Sequence, residues 1–450
     1  MHRTHTTDVA GLIDDSPERG RFRLHRDVYL DPGVFARERE RVFCQSWVYV
    51  GHVSQLRDTH ASLSVRIADV PLVVMRDASG TLGCFHNRCR HKGMLLCLPG
   101  QGNRRFHACP YHAWVFDSGG RNVAIKDDRD AAYGEGFATL CHDLEPVAAF
   151  AEYRGFLFAS LSSPPCTLDQ YLGDARVFID LIVDQSPDGV ELVPGAVTYT
   201  FGANWKHQIE NSIDAYHFTA THPSYLRLLD RRAQAPARSD VAAAVWQGDG
   251  GREVEQAMGA FGLRHGHALV WTDSPIERHP LYEGREALRE RVGDVRLRWM
   301  FRTRQFNVFP NLQLASNAAL QMRVIRPIAV DLTEITAYCV APVGETAEQR
   351  RRRLRQYEDF FNPSGLATPD DTVMFEGLQA GLAAGADPWL QAGARGLGLA
   401  HAGPDEHARE LGISPVQSVA GSFAMADESI LRPIYRAWAE RLGGAGGGDA

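Results

Sequence analysis

Two short patterns, Cys89-Arg90-His91 and Cys109-Pro110-Tyr111-His112, lie with seventeen residues between them. Each offers one thiolate and one imidazole on a tight loop, with Gly93 after the first and Pro110 inside the second. Bringing these four donors to one point demands two rigid chain reversals side by side. Two Cys and two His in this order are the ligand set of a Rieske [2Fe–2S] cluster, in which the thiolates hold one iron and the imidazoles the other. Neutral imidazoles in place of thiolates lower the negative charge at the cluster and raise its potential, as an electron relay needs. A structural zinc site is the alternative, because the same donors suit tetrahedral zinc. Zinc pairs, however, usually join Cys with Cys and His with His, so a mixed pair in both loops weighs against it.

The sequence around these loops reads as short strands. Ser62–Ile67, Pro71–Arg76 and Thr81–Asn87 are successive candidates, with Asp77-Ala78-Ser79-Gly80 as the turn between the last two. Arg104–Cys109 enters the second loop and Trp114–Asp117 leaves it. The character changes after Pro164-Pro165. Leu168–Val183 has helical spacing, Val197–Phe201 is a short strand, and Asn204–His222 reads as a helix. The stretch 230–251 is Ala/Arg/Gly-rich and irregular. Phe301–Val308, Leu312–Ser316, Ala319–Ile325 and Glu334–Val340 read as strands of a sizeable antiparallel sheet. Thr346-Ala347-Glu348-Gln349 is a capping box that opens a helix through Phe361. The run Arg350–Arg353 with Arg355 reads as a solvated helix face, with Glu348 and Arg352 paired, in preference to a dock for an acidic partner.

A chain of 450 residues suits two domains. A net charge of −7 gives no electrostatic reason to expect nucleic acid or an anionic membrane as partner. No apolar run reaches the length of a membrane span, and the first residues lack the apolar core of a secretory signal. Beyond the two ligand cysteines, Cys44, Cys84, Cys97, Cys141, Cys166 and Cys339 form no paired framework. They read as buried small residues or free thiols, which suits a reducing, cytoplasmic setting.

The segment Glu210–His222 suggests a second metal. Two imidazoles and one carboxylate on one face of an iron leave the opposite positions open, the facial-triad arrangement of non-haem iron oxygenases. His217 and His222 can supply the imidazoles. Five positions apart, they diverge by about 140° on a regular helix, so one must sit at a helix end or bulge. Asp214 lies one turn before His217, close enough to bond its second ring nitrogen. Asp370 and Asp371 are candidates for the third ligand. In Thr368-Pro369-Asp370-Asp371, local chemistry alone favours a helix start.

From about Arg23 to Gly381 the chain resembles the large (α) subunits of Rieske aromatic-ring-hydroxylating dioxygenases, and most of all the benzoate, toluate and anthranilate branch. Besides both metal motifs, the likeness lies in Trp47-Val48-Tyr49, Tyr153–Phe158, Asp184-Gln185-Ser186-Pro187, Asn204-Trp205-Lys206, Glu210-Asn211, Arg326-Pro327-Ile328, Arg355–Phe361 and Ala367–Asp371. The resemblance implies an α+β fold: an all-β Rieske domain inserted in or beside a larger catalytic domain with a central antiparallel sheet flanked by helices. The expected organisation is a helical N-terminal segment over 1–45 packing on the catalytic domain, the Rieske domain over 46–164, the catalytic domain over 165–442 and a disordered Gly-rich tail over 443–450.

By the same resemblance, Cys89, His91, Cys109 and His112 hold the [2Fe–2S] cluster. His217, His222 and Asp371 hold a mononuclear Fe(II); Asp371 is preferred because the matching acid is the second of the pair, five residues before Glu376. Asp214 is the electron bridge that links His217 to His112 of the partner subunit in a head-to-tail ring of three. The implied reaction adds both atoms of O2 to one ring face of benzoate or a related acid. NADH-derived electrons would come through a separate reductase, with or without a ferredoxin, and a small β subunit would complete an α3β3 hexamer. Lys92 departs from the usual Arg and keeps the charge without the planar fork. The stretches Asp230–His279 and Ser418–Leu442 depart from the branch as well. Rival expectations are a Rieske monooxygenase, a non-catalytic electron-transfer or iron-sensing protein, and a zinc-stabilised binding module.

Overall fold

The computed structural model describes residues 8–129, 132–234, 257–274, 276, 279–316, 319–422 and 427–443. The chain divides into two compact units, Phe43–Leu168 and a larger one made of Met1–Val42 with Asp169–Ala450. Antiparallel sheets and flanking helices make the architecture α+β.

The smaller unit is built from short strands. Leu82–His86, Val70–Arg76, Ala61–Ile67 and Gly100–Asn103 pair in that order; Asn122–Ala124, Val115–Asp117 and Phe106–Ala108 form a second sheet; Ala149–Tyr153, Phe156–Ser160 and Val48–His52 a third. Val70–Arg76 pairs along both edges, and its successive residues Leu72 to Met75 are fully buried, so both of its faces are covered. Asp77 closes the turn after it by accepting the N–H groups of Ser79 and Thr81 on one carboxylate oxygen, while Gly80 takes φ 90°.

The larger unit is organised by a ten-stranded antiparallel sheet among the described residues. Its order is Val190–Leu192, Leu332–Pro342, Leu320–Ala329, Leu312–Ser316, Thr303–Val308, Ala268–Thr272, Ala257–Gly262, Gln417–Ser422 and His401–Ala402, with Val197–Phe201 also paired to Leu332–Pro342. The long central strands were legible from their apolar alternation. Ala257–Gly262 was not, because its Ala and Gly residues have low strand propensity. Those glycines answer to packing: a Cβ on Gly259 would stand 2.7 Å from the Val419 carbonyl oxygen, and one on Gly262 2.4 Å from Pro433.

Several local expectations need correction. Leu168–Val183 is two helices, Leu168–Leu172 and Ala175–Val183, separated where Gly173 turns to φ 48°. In the N-terminal segment the α-helices begin at Asp27; before that, Ile13–Ser16 and Arg21–His25 pair as strands among short 3-10 turns. The capping box at Thr346 forms and opens Ala347–Phe360, but the arginine run on that helix is not simply a solvated face. Arg353 is buried against Glu345, Arg350 bonds Glu345 and Glu191, and Glu348 pairs with Arg351 instead of Arg352. Of the irregular stretch, 231–234 close the helix Pro223–Gln234, whereas 235–251 lie outside the described residues, as does the tail from 444. No described helix is long and apolar enough to cross a membrane.

One buried ionic knot fastens the N-terminal segment to the rest of the larger unit. Glu38, fully buried, accepts from Lys206 Nζ at 2.6 Å, Trp205 Nε1 at 2.9 Å and Trp438 Nε1 at 2.7 Å. A buried carboxylate persists only when its lone pairs are satisfied in this way.

Candidate metal centres

The two Cys/His loops of the smaller unit have the same backbone plan. The N–H of Cys89 donates to the Met94 carbonyl at 2.8 Å, and the N–H of Gly93 donates back to the Cys89 carbonyl at 3.0 Å. In the second loop the N–H of Cys109 donates to Trp114 at 2.8 Å, and that of Ala113 to Cys109 at 3.0 Å. Each loop needs one residue with positive φ at the same place, Gly93 at 78° and Ala113 at 56°. The plan turns both thiols inward: Cys89 and Cys109 are buried among Val73, Met75, Trp114 and Phe116. Burial pushes the Cys89 thiol above its ordinary pKa, and the neighbouring Cys109 adds to this. The imidazoles face outward, with the His91 and His112 rings 4.5 Å apart and Trp114 stacked on His91 at 5.0 Å. Paired inner sulfurs and paired outer nitrogens fit a cluster with one iron on each pair. Lys92 sits over the Tyr111 ring, 5.8 Å from its centroid.

In the larger unit, the segment expected as one helix from Asn204 to His222 is broken. Asn204 caps Trp205–Asn211 by accepting the Lys206 N–H; the chain then leaves the helix until Phe218–Thr221. His217 and His222 flank that single turn, one at each end. The break removes the divergence that a continuous helix would impose on them. Thr368–Leu382 brings the carboxylates: Pro369 stands in its first turn, and Asp370 and Asp371 follow.

One ligand atom each from His217, His222 and Asp371 lies within 4.8 Å of the others. Asp371 Oδ1 is 3.2 Å from His222 Nε2 and 3.5 Å from His217 Nε2. Each ring turns its other nitrogen to an outer carboxylate: His217 Nδ1 lies 3.4 Å from Asp214 and His222 Nδ1 3.2 Å from Asp370. The His222–Asp370 contact is a hydrogen bond, and such an outer partner fixes the tautomer that leaves Nε2 free for a metal. The two aspartates therefore divide the work, Asp371 within the triad and Asp370 behind His222, which a capping role alone does not explain. Two imidazoles and a carboxylate converging on one point fit iron with open positions. The carboxylates around the rings favour positive charge at this point. Burial opposes charge on His217, yet hydrogen bonds and attraction from Asp214 and Asp371 hold its pKa up at about 10. Burial likewise opposes charge on Asp371, and His217 and His222 overcome it, keeping the acid well below its usual range.

Sequence reasoning missed three participants. Asn211 donates to Asp371 Oδ1 at 3.1 Å and approaches His217 Nε2 at 3.0 Å, so it holds the donors in place from the helix before the break. Glu210 accepts from Tyr29 at 2.6 Å and from Tyr435, and burial pushes its pKa up to about 7. Tyr435 lies where the sequence departs from the branch. Glu210-Asn211 belongs to the pattern shared with the branch, which signals the first two without giving their roles.

Comparison with known proteins places both units. Residues 191–444 match the family "Ring hydroxylating alpha subunit (catalytic domain)" and residues 46–134 the "Rieske [2Fe-2S] domain". Toluate 1,2-dioxygenase subunit alpha of Pseudomonas putida is 37% identical over 443 residues, 96% of this chain and 94% of that one. Anthranilate 1,2-dioxygenase large subunit of Acinetobacter baylyi is 37% identical over 415 residues, 91% of this chain and 87% of that one. Among solved structures, naphthalene 1,2-dioxygenase from Rhodococcus sp. shares the fold with a TM-score of 0.77 at 24% identity, covering 93% of this chain and 94% of that one. A quaternary ammonium Rieske monooxygenase shares it at 0.61 and 17% identity, covering 91% and 94%. With a Rieske unit, a catalytic unit and relatives of this closeness along nearly its whole length, the chain belongs to the large (alpha) subunits of the Rieske aromatic-ring-hydroxylating dioxygenases.

Proposed function

We propose that this large subunit dioxygenates benzoate or a closely related ring-substituted aromatic acid. The observation that carries the proposal is the convergence of His217, His222 and Asp371 in a chain whose near relatives are named for toluate, 2-halobenzoate and anthranilate. In this reading Cys89, His91, Cys109 and His112 hold the cluster, and His217, His222 and Asp371 the mononuclear iron. When bound, the cluster supplies electrons one at a time and the iron supplies dioxygen activation.

The protein's own part is position and protonation. Asp370 holds His222 Nδ1, Asp214 lies 3.4 Å from His217 Nδ1, and Asn211 anchors Asp371. Asp214 is the proposed electron bridge: its side chain is 24% exposed, so a partner subunit can reach it. The reductase that takes electrons from NADH, a ferredoxin if one intervenes, a β subunit in an α3β3 hexamer, and a cytoplasmic location complete the proposal.

The fold shared with a Rieske monooxygenase favours, as a second reading, insertion of one oxygen atom. Oxygen uptake with a matched reductase, across benzoates, anthranilate and salicylates under labelled O2, separates the two. Dioxygenation predicts two labelled atoms in a cis-diol from at least one benzoate. A single labelled atom rejects it in favour of monooxygenation, and no uptake with any aromatic acid rejects the substrate class.

A further inference from the structure

Five cationic side chains are buried among the described residues: Lys206, Arg302, Arg304, Arg323 and Arg353. Three have carboxylate partners, namely Lys206 with Glu38, Arg302 with Asp273 and Glu410, and Arg353 with Glu345. Arg304 donates to the Trp299 carbonyl and to Ser316 Oγ. Arg323 alone makes neither an ion pair nor a hydrogen bond with any described residue, and its buried Nε is unmatched. Its guanidinium carbon lies 5.7 Å from the centre of the Phe361 ring. Leaving a buried guanidinium without an anion is costly, and a ring face offsets only part of that cost.

The location of Arg323 gives the orphan a purpose. Asn307, Gln313 and Arg323 stand in register across three neighbouring strands, so they share one face of the sheet. Asn307 donates to the Ile209 carbonyl and Gln313 to the Gln208 carbonyl, which ties this face to the helix carrying Asn211. The third member of the row has no such duty. Arg323 is the register neighbour of Gln313, which bonds the helix one turn before Asn211, and Asn211 holds Asp371, so the cation lies on the sheet face joined through that helix to the His217–His222–Asp371 group. A guanidinium fork matches a planar carboxylate with two parallel hydrogen bonds.

We propose that Arg323 is the residue that binds the substrate carboxylate, holding a monocyclic aromatic acid beside the metal centre; the assignment rests on the aromatic-acid reading above. The test uses the holoenzyme with its reductase and compares Arg323→Met and Arg323→Lys with wild type. Benzoate and its neutral analogue toluene are the probes. Equilibrium dialysis gives affinities, turnover gives the split between KM and kcat, and iron content with thermal melting reports integrity.

Wild type is expected to bind benzoate more tightly than toluene. Arg323→Met should weaken benzoate about 100-fold, mostly in KM, and leave toluene within about threefold. Arg323→Lys should fall between. Benzoate affinity unchanged in Arg323→Met overturns the assignment while leaving the substrate class intact. Equal loss of benzoate and toluene also overturns it, by exposing a purely structural role. Wild type that does not prefer benzoate overturns both the assignment and the aromatic-acid reading.

Discussion

The two proposed metal centres are built in opposite ways. In the smaller unit, all four donors come from two loops with the same hydrogen-bond plan, each placed by the short strands around it. In the larger unit the donors come from distant stretches: His222 and its outer partner Asp370 are 148 residues apart. The loop site is fixed locally, so it depends on turn geometry. The assembled site depends on the packing that keeps the Trp205–Asn211 helix, the broken segment after it and Thr368–Leu382 together.

If that contrast is right, damage to the larger unit's packing should spare the cluster. Lys206→Met leaves the Glu38 carboxylate buried without its cation, held only by the two indole N–H groups, and should cost about 3–5 kcal/mol. Calorimetry should show the larger unit melting earlier, while visible absorption of the cluster persists to its own transition. A single shared transition that moves as a whole would break the contrast.

Asp214→Ala should lower turnover about 100-fold while both metals stay bound, as oxygen uptake with iron analysis would reveal. Activity near wild type would remove Asp214 from the electron route. Asp370→Asn is the gentler probe. It weakens the grip on His222 Nδ1 and should reduce iron affinity about tenfold in a chelator titration. Unaltered affinity would return Asp370 to a helix-start role.

The same contrast explains what the sequence made legible. The Cys/His loops and the long strands declare themselves because donor spacing and apolar alternation are local signals. His217 and His222 were visible as a pair, and their divergence on a continuous helix correctly demanded a helix end. The position of the break was not visible, since Asn211 to Tyr216 contains no proline or glycine. Asp370 and Asp371 could be ordered only by resemblance, because a helix start accounts for both; separating their roles needed the distances to His222. Gly-rich strands such as Ala257–Gly262 stayed hidden because their packing partners, Val419 and Pro433, lie far along the chain.

The most direct test of two separately built centres is iron analysis of wild type and His217→Ala, with the spectrum of the reduced cluster recorded for each. About three irons per wild-type chain, about two in the variant and an unchanged rhombic Rieske signal are the predicted result. A variant that keeps all its iron, or that loses the cluster signal along with the mononuclear metal, would contradict it.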